Sequence, residues 1–175
     1  TAVAANHGDI GSNAVDLSNS SSASTTRGAT GDYSIAMGRY TTASGSRSTA
    51  MGGYTTASGN HSTAMGDSTE ASGNYSTAMG YSTEASGSFS TAMGYSTEAN
   101  GFHSTAMGYE TTASDYGSLV IGQYNSSGST ATSADSFSTA NTAFVIGNGT
   151  GTGVDASDAF KVMFNGDTYV SNSLY

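Results

Sequence analysis

Glycine recurs at a fixed interval of 14 residues through the middle of this chain: Gly38, Gly52, Gly66, Gly80, Gly94, Gly108 and Gly122. Six of the seven follow a methionine (Met37, Met51, Met65, Met79, Met93 and Met107), and the seventh follows Ile121. Ser34 and its equivalents up to Ser118 open the same units. Ala43 and its equivalents up to Ala113 mark their second halves. Seven registers without an insertion define a repeat of the form x-S-T-A-M-G-x-x-T-x-A-S-G-x, and a fixed period of this kind governs the fold before any local preference does. Helical repeats need about 33 residues or more, and Ser, Thr and Gly are poor helix formers. Two strands and two tight turns fill a unit of this length. The expected fold is therefore all-β, a parallel β-roll solenoid of 14-residue coils. Each strand pairs with its equivalent one coil away, at a rise of about 4.8 Å.

The repeat changes the meaning of the composition. Ser and Thr supply 57 of the 175 residues, and Leu, Ile, Val and Phe only 20. That is about 11% large aliphatic and Phe, a level usually read as disorder. A roll needs only a thin interior. Alternation along Ser-Thr-Ala-Met-Gly puts Ser48, Ala50 and Gly52 on one face and Thr49 and Met51 on the other. In Thr-x-Ala-Ser-Gly, Thr55, Ala57 and Gly59 share a face. The small faces meet inside, so the methionines point outward in a column. Such an apolar stripe marks an interaction surface, and identical stripes meeting on a symmetry axis satisfy it most simply. The predicted interface comprises Ile35, Met37, Thr49, Met51, Thr63, Met65, Thr77, Met79, Thr91, Met93, Thr105, Met107, Leu119 and Ile121.

The unit S-T-A-M-G-x-x-T-x-A-S-G resembles the head repeat of trimeric autotransporter adhesins, the YadA-like head, over about residues 29–128. The resemblance implies a left-handed roll, a homotrimer, and an extracellular place on a cell surface or on a virion or phage fibre. Where that family usually carries Val and Ile toward the trimer axis, this chain has Thr and Met, a softer and more polar filling. Residues 1–28 read as an irregular cap, with Ser20 in register with Ser34. Residues 129–158 read as an insertion, whose loop 129–140 is a candidate recognition loop, followed by a returning strand at Ala143-Phe-Val-Ile-Gly147. Residues 159–175 read as a C-terminal β-hairpin cap leading to a stalk, with Asn165-Gly166 in a type I′ turn.

No catalytic constellation is present, so the chain is not read as an enzyme, and no cofactor or metal site is assigned. His61 and His103 occupy the same repeat position three coils apart, roughly 14 Å by strand spacing, too far for one ion. Zero Cys excludes a disulfide scaffold. With 13 acids against four basic residues, the surface repels phosphate backbones, so nucleic acid is not an expected partner. No run reaches the length of a membrane span, so this segment is not expected to insert into a membrane. The chain begins at Thr1 and reads as a mature or excised piece, which says nothing about export.

The candidate ligand surface consists of Tyr81, Tyr95 and Tyr109 in one column and Glu70, Glu84 and Glu98 in another. The tyrosines read either as a stabilising ladder or as a platform for a host protein, matrix or glycan receptor. The glutamates read as a solvated acidic ladder or as a strip for cationic ligands. Three functions follow: an adhesin-type head acting by avidity, a structural spacer in a fibre, or an ice-binding roll. The last requires a uniform Thr array, and Thr42 and Thr56 give way to the three glutamates.

Overall fold

The computed structural model of the chain describes residues 8–21, 24–126 and 133–171. Every described coil contributes one five-residue strand to a long sheet. These strands are β1 (Val15–Asn19), β3 (Ile35–Arg39), β5 (Thr49–Gly53), β7 (Thr63–Asp67), β9 (Thr77–Tyr81), β11 (Thr91–Tyr95), β13 (Thr105–Tyr109) and β15 (Leu119–Gln123). The same coils contribute two-residue strands to a second sheet: β2 (Gly28–Ala29), β4 (Thr42–Ala43), β6 (Thr56–Ala57), β8 (Glu70–Ala71), β10 (Glu84–Ala85), β12 (Glu98–Ala99) and β14 (Thr112–Ala113). Both sheets are parallel, and identical repeat positions face each other along them, as in Met79↔Met93 and Ala85↔Ala99. The result is the expected all-β solenoid of 14-residue coils. The long strand starts one residue later than the sequence pattern suggests. The second strand is far shorter, because the chain turns again immediately after its alanine.

The interior is as thin as the composition requires. Thirteen alanines from Ala29 to Ala113 are fully buried, closed at the C-terminal end by Val120 and Val145. Ser48, Thr55 and their equivalents are buried beside them. The second-half glycines, such as Gly59, are also buried. Gly52 and its class do not belong to this interior: they are exposed or, at Gly38, half-exposed, with φ between +99° and +135°. Their glycine is required for another reason. An added Cβ at Gly52 would run into the carbonyl group of Gly66 on the next coil. Simple alternation misplaces them because the reversed φ breaks the period of two.

The interior hydroxyls are imperfectly satisfied: Ser48, Ser90 and Ser104 have no hydrogen-bond partner, and one whole threonine column shares the defect. Thr41, Thr55, Thr69, Thr83, Thr97 and Thr111 are at most 1% exposed, and their hydroxyl oxygens have no hydrogen-bond partner. A buried hydroxyl without a partner costs about 1–3 kcal/mol. Replacing Thr83 by the isosteric Val should therefore raise stability by about 1 kcal/mol, read as a higher midpoint in chemical denaturation. Thr42→Val, on the half-exposed neighbouring position, should leave it unchanged.

Both ends of the roll depart from the repeat. At the N-terminal end, β1 pairs with β3 through Val15↔Ile35 and Leu17↔Met37. This places Ala14, not Ser20, level with Ser34, with a 20-residue offset in place of 14. The roll thus already has a paired strand within residues 1–28. Asp16 stands level with Ala36, the first member of the long strands' alanine column. At the C-terminal end, the Asn125 carboxamide takes the place of a missing strand. It accepts from the Thr112 N–H at 2.8 Å and donates to the Thr112 carbonyl at 2.9 Å. Asp115 stands where earlier coils have glycine. With no further repeat coil above it, its side chain fits, and it accepts from the Thr142 N–H at 2.8 Å.

The long sheet continues through β16 (Thr142–Asn148), parallel to β15 with Leu119↔Phe144 and Ile121↔Ile146. It then changes sense: β17 (Asp158–Met163) and β18 (Thr168–Val170) pair antiparallel. The connection between the last two is not a type I′ turn. Gly166 has φ +93° while Asn165 is not in the positive range. The Gly166 N–H donates to the Met163 carbonyl at 3.0 Å and the Met163 N–H to that of Asp167 at 2.8 Å. This is a three-residue loop ending in a glycine bulge, the next most common hairpin geometry. Of the inserted loop, residues 129–132 lie outside the described residues, as do Ser127 and Gly128. Residues 133–140 are pinned to the roll through Phe102 N–H→Ala134 and Tyr116 N–H→Ser133 bonds, and through the buried Asn141 amide.

Candidate functional site

The outer face of the long sheet carries the predicted interface residues. The long strand alternates, so Ala78 and its class go inward while Thr77 and Met79 go outward. Met51, Met65, Met79, Met93 and Met107 are half-exposed, as are Thr49, Thr63, Thr77, Thr91 and Thr105. The ends of the stripe are more exposed: Ile35 at 38%, Met37 at 41% and Leu119 at 36%, with Ile121 half-exposed. Beyond the repeats the same face continues into Val15 and Leu17 at one end. At the other it continues into Phe144 and Ile146, paired with Val162 and Phe160. Phe144 and Phe160 meet at 6.0 Å between centroids. The single chain therefore presents a continuous Thr/Met face, apolar at both ends, whose alanine interior is already filled without it.

Two aromatic columns flank this face, one at each end of the strand. Tyr81, Tyr95 and Tyr109 close β9, β11 and β13, with ring centroids 5.2 and 4.8 Å apart and planes within 12°. At the opposite corner His61, Tyr75, Phe89 and His103 stack at 4.7, 4.9 and 4.9 Å. These spacings equal the coil rise, so each ring lies on the one below. Between the ends of each column the ring faces are occupied by neighbours, and the columns present mainly edges and hydroxyls to solvent. Near the N-terminal end the arginines join in: the Arg39 guanidinium lies over Tyr40 and Tyr54, at 5.0 and 4.9 Å. Arg47 lies 5.3 Å from the Tyr33 ring centroid.

The corners hold a feature that the repeat pattern left unread. Tyr33, Arg47, His61, Tyr75, Phe89 and His103 all have φ between +57° and +59°. Tyr40, Tyr54, Ser68, Ser82, Ser96, Glu110 and Tyr124 form a second left-handed column. Holding an ordinary residue there costs roughly 1–2 kcal/mol, while stacked ring pairs return about 0.5–1.5 kcal/mol each. The available signal was negative. Neither column contains Val, Ile or Thr, the residues for which positive φ is worst.

Glu70, Glu84 and Glu98 are consecutive neighbours along the short sheet. Burial, followed by the carboxylates of Glu70 and Glu98, raises the proton affinity of Glu84 above the ordinary carboxylate range. A carboxyl whose pKa is higher folded than unfolded stabilises the fold fully below the unfolded value, and this is lost as pH rises through the folded one. Glu84→Gln should therefore gain stability over wild type as pH rises above about 4. The gain is a few tenths of a kcal/mol on this largely exposed ladder and shrinks with salt. Thermal melts of both proteins across pH at low and high salt read it directly.

Among the described residues, no group of three or more His, Asp or Glu side chains is placed to hold a metal ion. No helix among them is long and apolar enough to cross a membrane. Among the described residues, one shallow cleft at the C-terminal end is lined by Asp158, Lys161 and Tyr169, and another by Glu110, Tyr124 and Asn125.

Comparison with known proteins agrees with the coil geometry. The family model of the YadA head domain repeat, two copies per match, fits residues 29–55, 43–69, 57–83, 71–97 and 99–125. No curated protein matches the chain.

Proposed function

Because the chain belongs to the YadA head repeat family, we propose that it works as a homotrimeric, adhesin-type head outside the cell. It would sit on a cell surface or on a viral or phage fibre. The observation that carries this reading is the half-exposed Thr/Met face, which runs along the long sheet while the alanine interior is complete without it. Three such faces closing on an axis would bury the stripe. The residues before the repeat and the hairpin after it would serve as caps, which solenoids need against end-to-end pairing. The roll's repeated surface, tripled by symmetry, would attach to a host or matrix protein or a glycan by avidity.

A structural spacer is the second reading, and one observation favours it. Most ring faces of both aromatic columns are used in stacking, which leaves the sides of the roll few ring platforms. Beads coated with the purified head, tested against matrix-protein and glycan arrays, separate the two. Attachment that is lost when the same chain is presented as monomer supports the head. Absence of attachment alongside a stable trimer supports the spacer.

A further inference from the structure

We propose that the two side-chain columns flanking the Thr/Met face pair with each other between neighbouring copies, coil by coil. The corner residue of one chain would meet the strand-end residue of the next on the same coil. The proposal rests on the trimeric reading and goes beyond it in naming the contacts between neighbouring chains.

A closed threefold ring has heterologous interfaces, in which one edge of a subunit meets the other edge of its neighbour. The three long strands then circulate head to tail, so the start of one strand abuts the end of the next. At the start stands the corner column containing Arg47, His61, Tyr75 and Phe89. At the end stands the column containing Gly53, Asp67, Tyr81 and Tyr95. Read on the same coil, the two columns match in size and in hydrogen-bonding character. His61 faces Asp67, Tyr75 faces Tyr81, and Phe89 faces Tyr95. The long Arg47 faces Gly53, a member of its column with no side chain. At the C-terminal end the relation inverts, and Gly117 faces Gln123. Sliding one chain by a coil would set Arg47 against Arg39 in one direction and against Asp67 in the other, so it is the equal height of the three chains in a closed ring that selects the same-coil pairs. The contacts within each chain leave these groups available at their edges. His61 stacks on Tyr75 through its ring face. Tyr75 and Tyr81 are 52% and 49% exposed.

The chain has no cysteine, so disulfide mapping can test this directly. Positions 61 and 67 bracket a strand and lie about 20 Å apart in one chain by strand rise. A disulfide spans Cα atoms no more than about 7 Å apart, so any bridge between them joins two chains. Under mild oxidation, His61→Cys/Asp67→Cys should shift most of the protein from the monomer band to a covalent trimer on a non-reducing gel. Tyr75→Cys/Tyr81→Cys should do the same and guards against a folding defect in the first pair. Sedimentation of the cysteine-free protein is run alongside. A trimer in which neither pair bridges overturns the edge pairing and leaves the trimer standing. A trimer in which Arg47→Cys/Asp67→Cys bridges in preference overturns the same-coil register. A covalent dimer from His61→Cys alone shows like edges meeting like, and overturns both this pairing and the threefold ring. A monomeric parent protein overturns the trimer itself.

Discussion

Replacing Met79 by Asp should abolish the proposed trimer. Met79 sits at the middle of the Thr/Met stripe, in register with Met65 and Met93. In a closed trimer three carboxylates would meet near the axis without counter-charges. Leaving a buried charge unpaired costs about 3–5 kcal/mol, and here three would also repel one another. The expected sedimentation result is loss of the trimer, with the chain monomeric or unfolded. Met79→Leu keeps volume and apolarity, a change that usually costs less than about 1.5 kcal/mol, and should remain trimeric. If Met79→Asp instead sedimented and melted like the parent protein, the stripe would be an ordinary exposed surface, and the oligomeric reading would fall with it.

The second large effect is expected at the repeat glycine. Gly80 has φ +128°, and an added Cβ would stand 2.9 Å from the carbonyl carbon of Gly94 and nearer still to its oxygen. The coils cannot part to relieve this, because Ala78↔Ala92 and Tyr81↔Tyr95 hold the same two strands in register on either side. Overpacking costs about 1–3 kcal/mol, and a side chain at this φ roughly another 1–3 kcal/mol. Gly80→Ala should therefore lose about 2–6 kcal/mol and lower the melting temperature strongly. Gly166 provides the control: its φ is also positive, at +93°, but nothing lies within 4 Å of an added Cβ. Gly166→Ala should lose only the backbone term, about 1–2 kcal/mol. Equal losses at the two sites would mean that φ alone, not the approach of the next coil, requires glycine in the repeat.

The coil was legible in the sequence because every coil is the same physical problem solved again. Ala50 must be small wherever two sheets lie this close, and a fixed period lets each strand of the repeat meet its own equivalent. The outward direction of Thr77 and Met79 was legible as well, since alternation around one buried alanine fixes which neighbours point out. Alternation failed where it assumes ordinary φ. It places Gly52 inward, yet Gly52 is exposed, because a residue with reversed φ breaks the period. It failed again where the repeat ends. Nothing local distinguishes Ser20 from Ala14 as the partner of Ser34. A 20-residue coil has no second example in the chain from which to learn its spacing, and β1 is recognisable only once it is paired. At Asn165-Gly166 the dipeptide suits two loop geometries, and the flanking hydrogen bonds from Met163 chose the longer.

The sequence by itself determined the coil, its pitch, and the two faces of the long strand, because these follow from side-chain size and parity repeated in register. Only the tertiary structure decided how the ends are closed. There the repeating neighbour is gone, and substitutes take over: Asn125 acts as a stand-in strand on Thr112, and Asp115 fills a glycine site that no further repeat coil covers. The structure alone also decided that the aromatic columns spend their faces on one another. Ring orientation is set by the 4.8 Å climb of neighbouring coils and by left-handed corners, neither of which a residue's identity reveals.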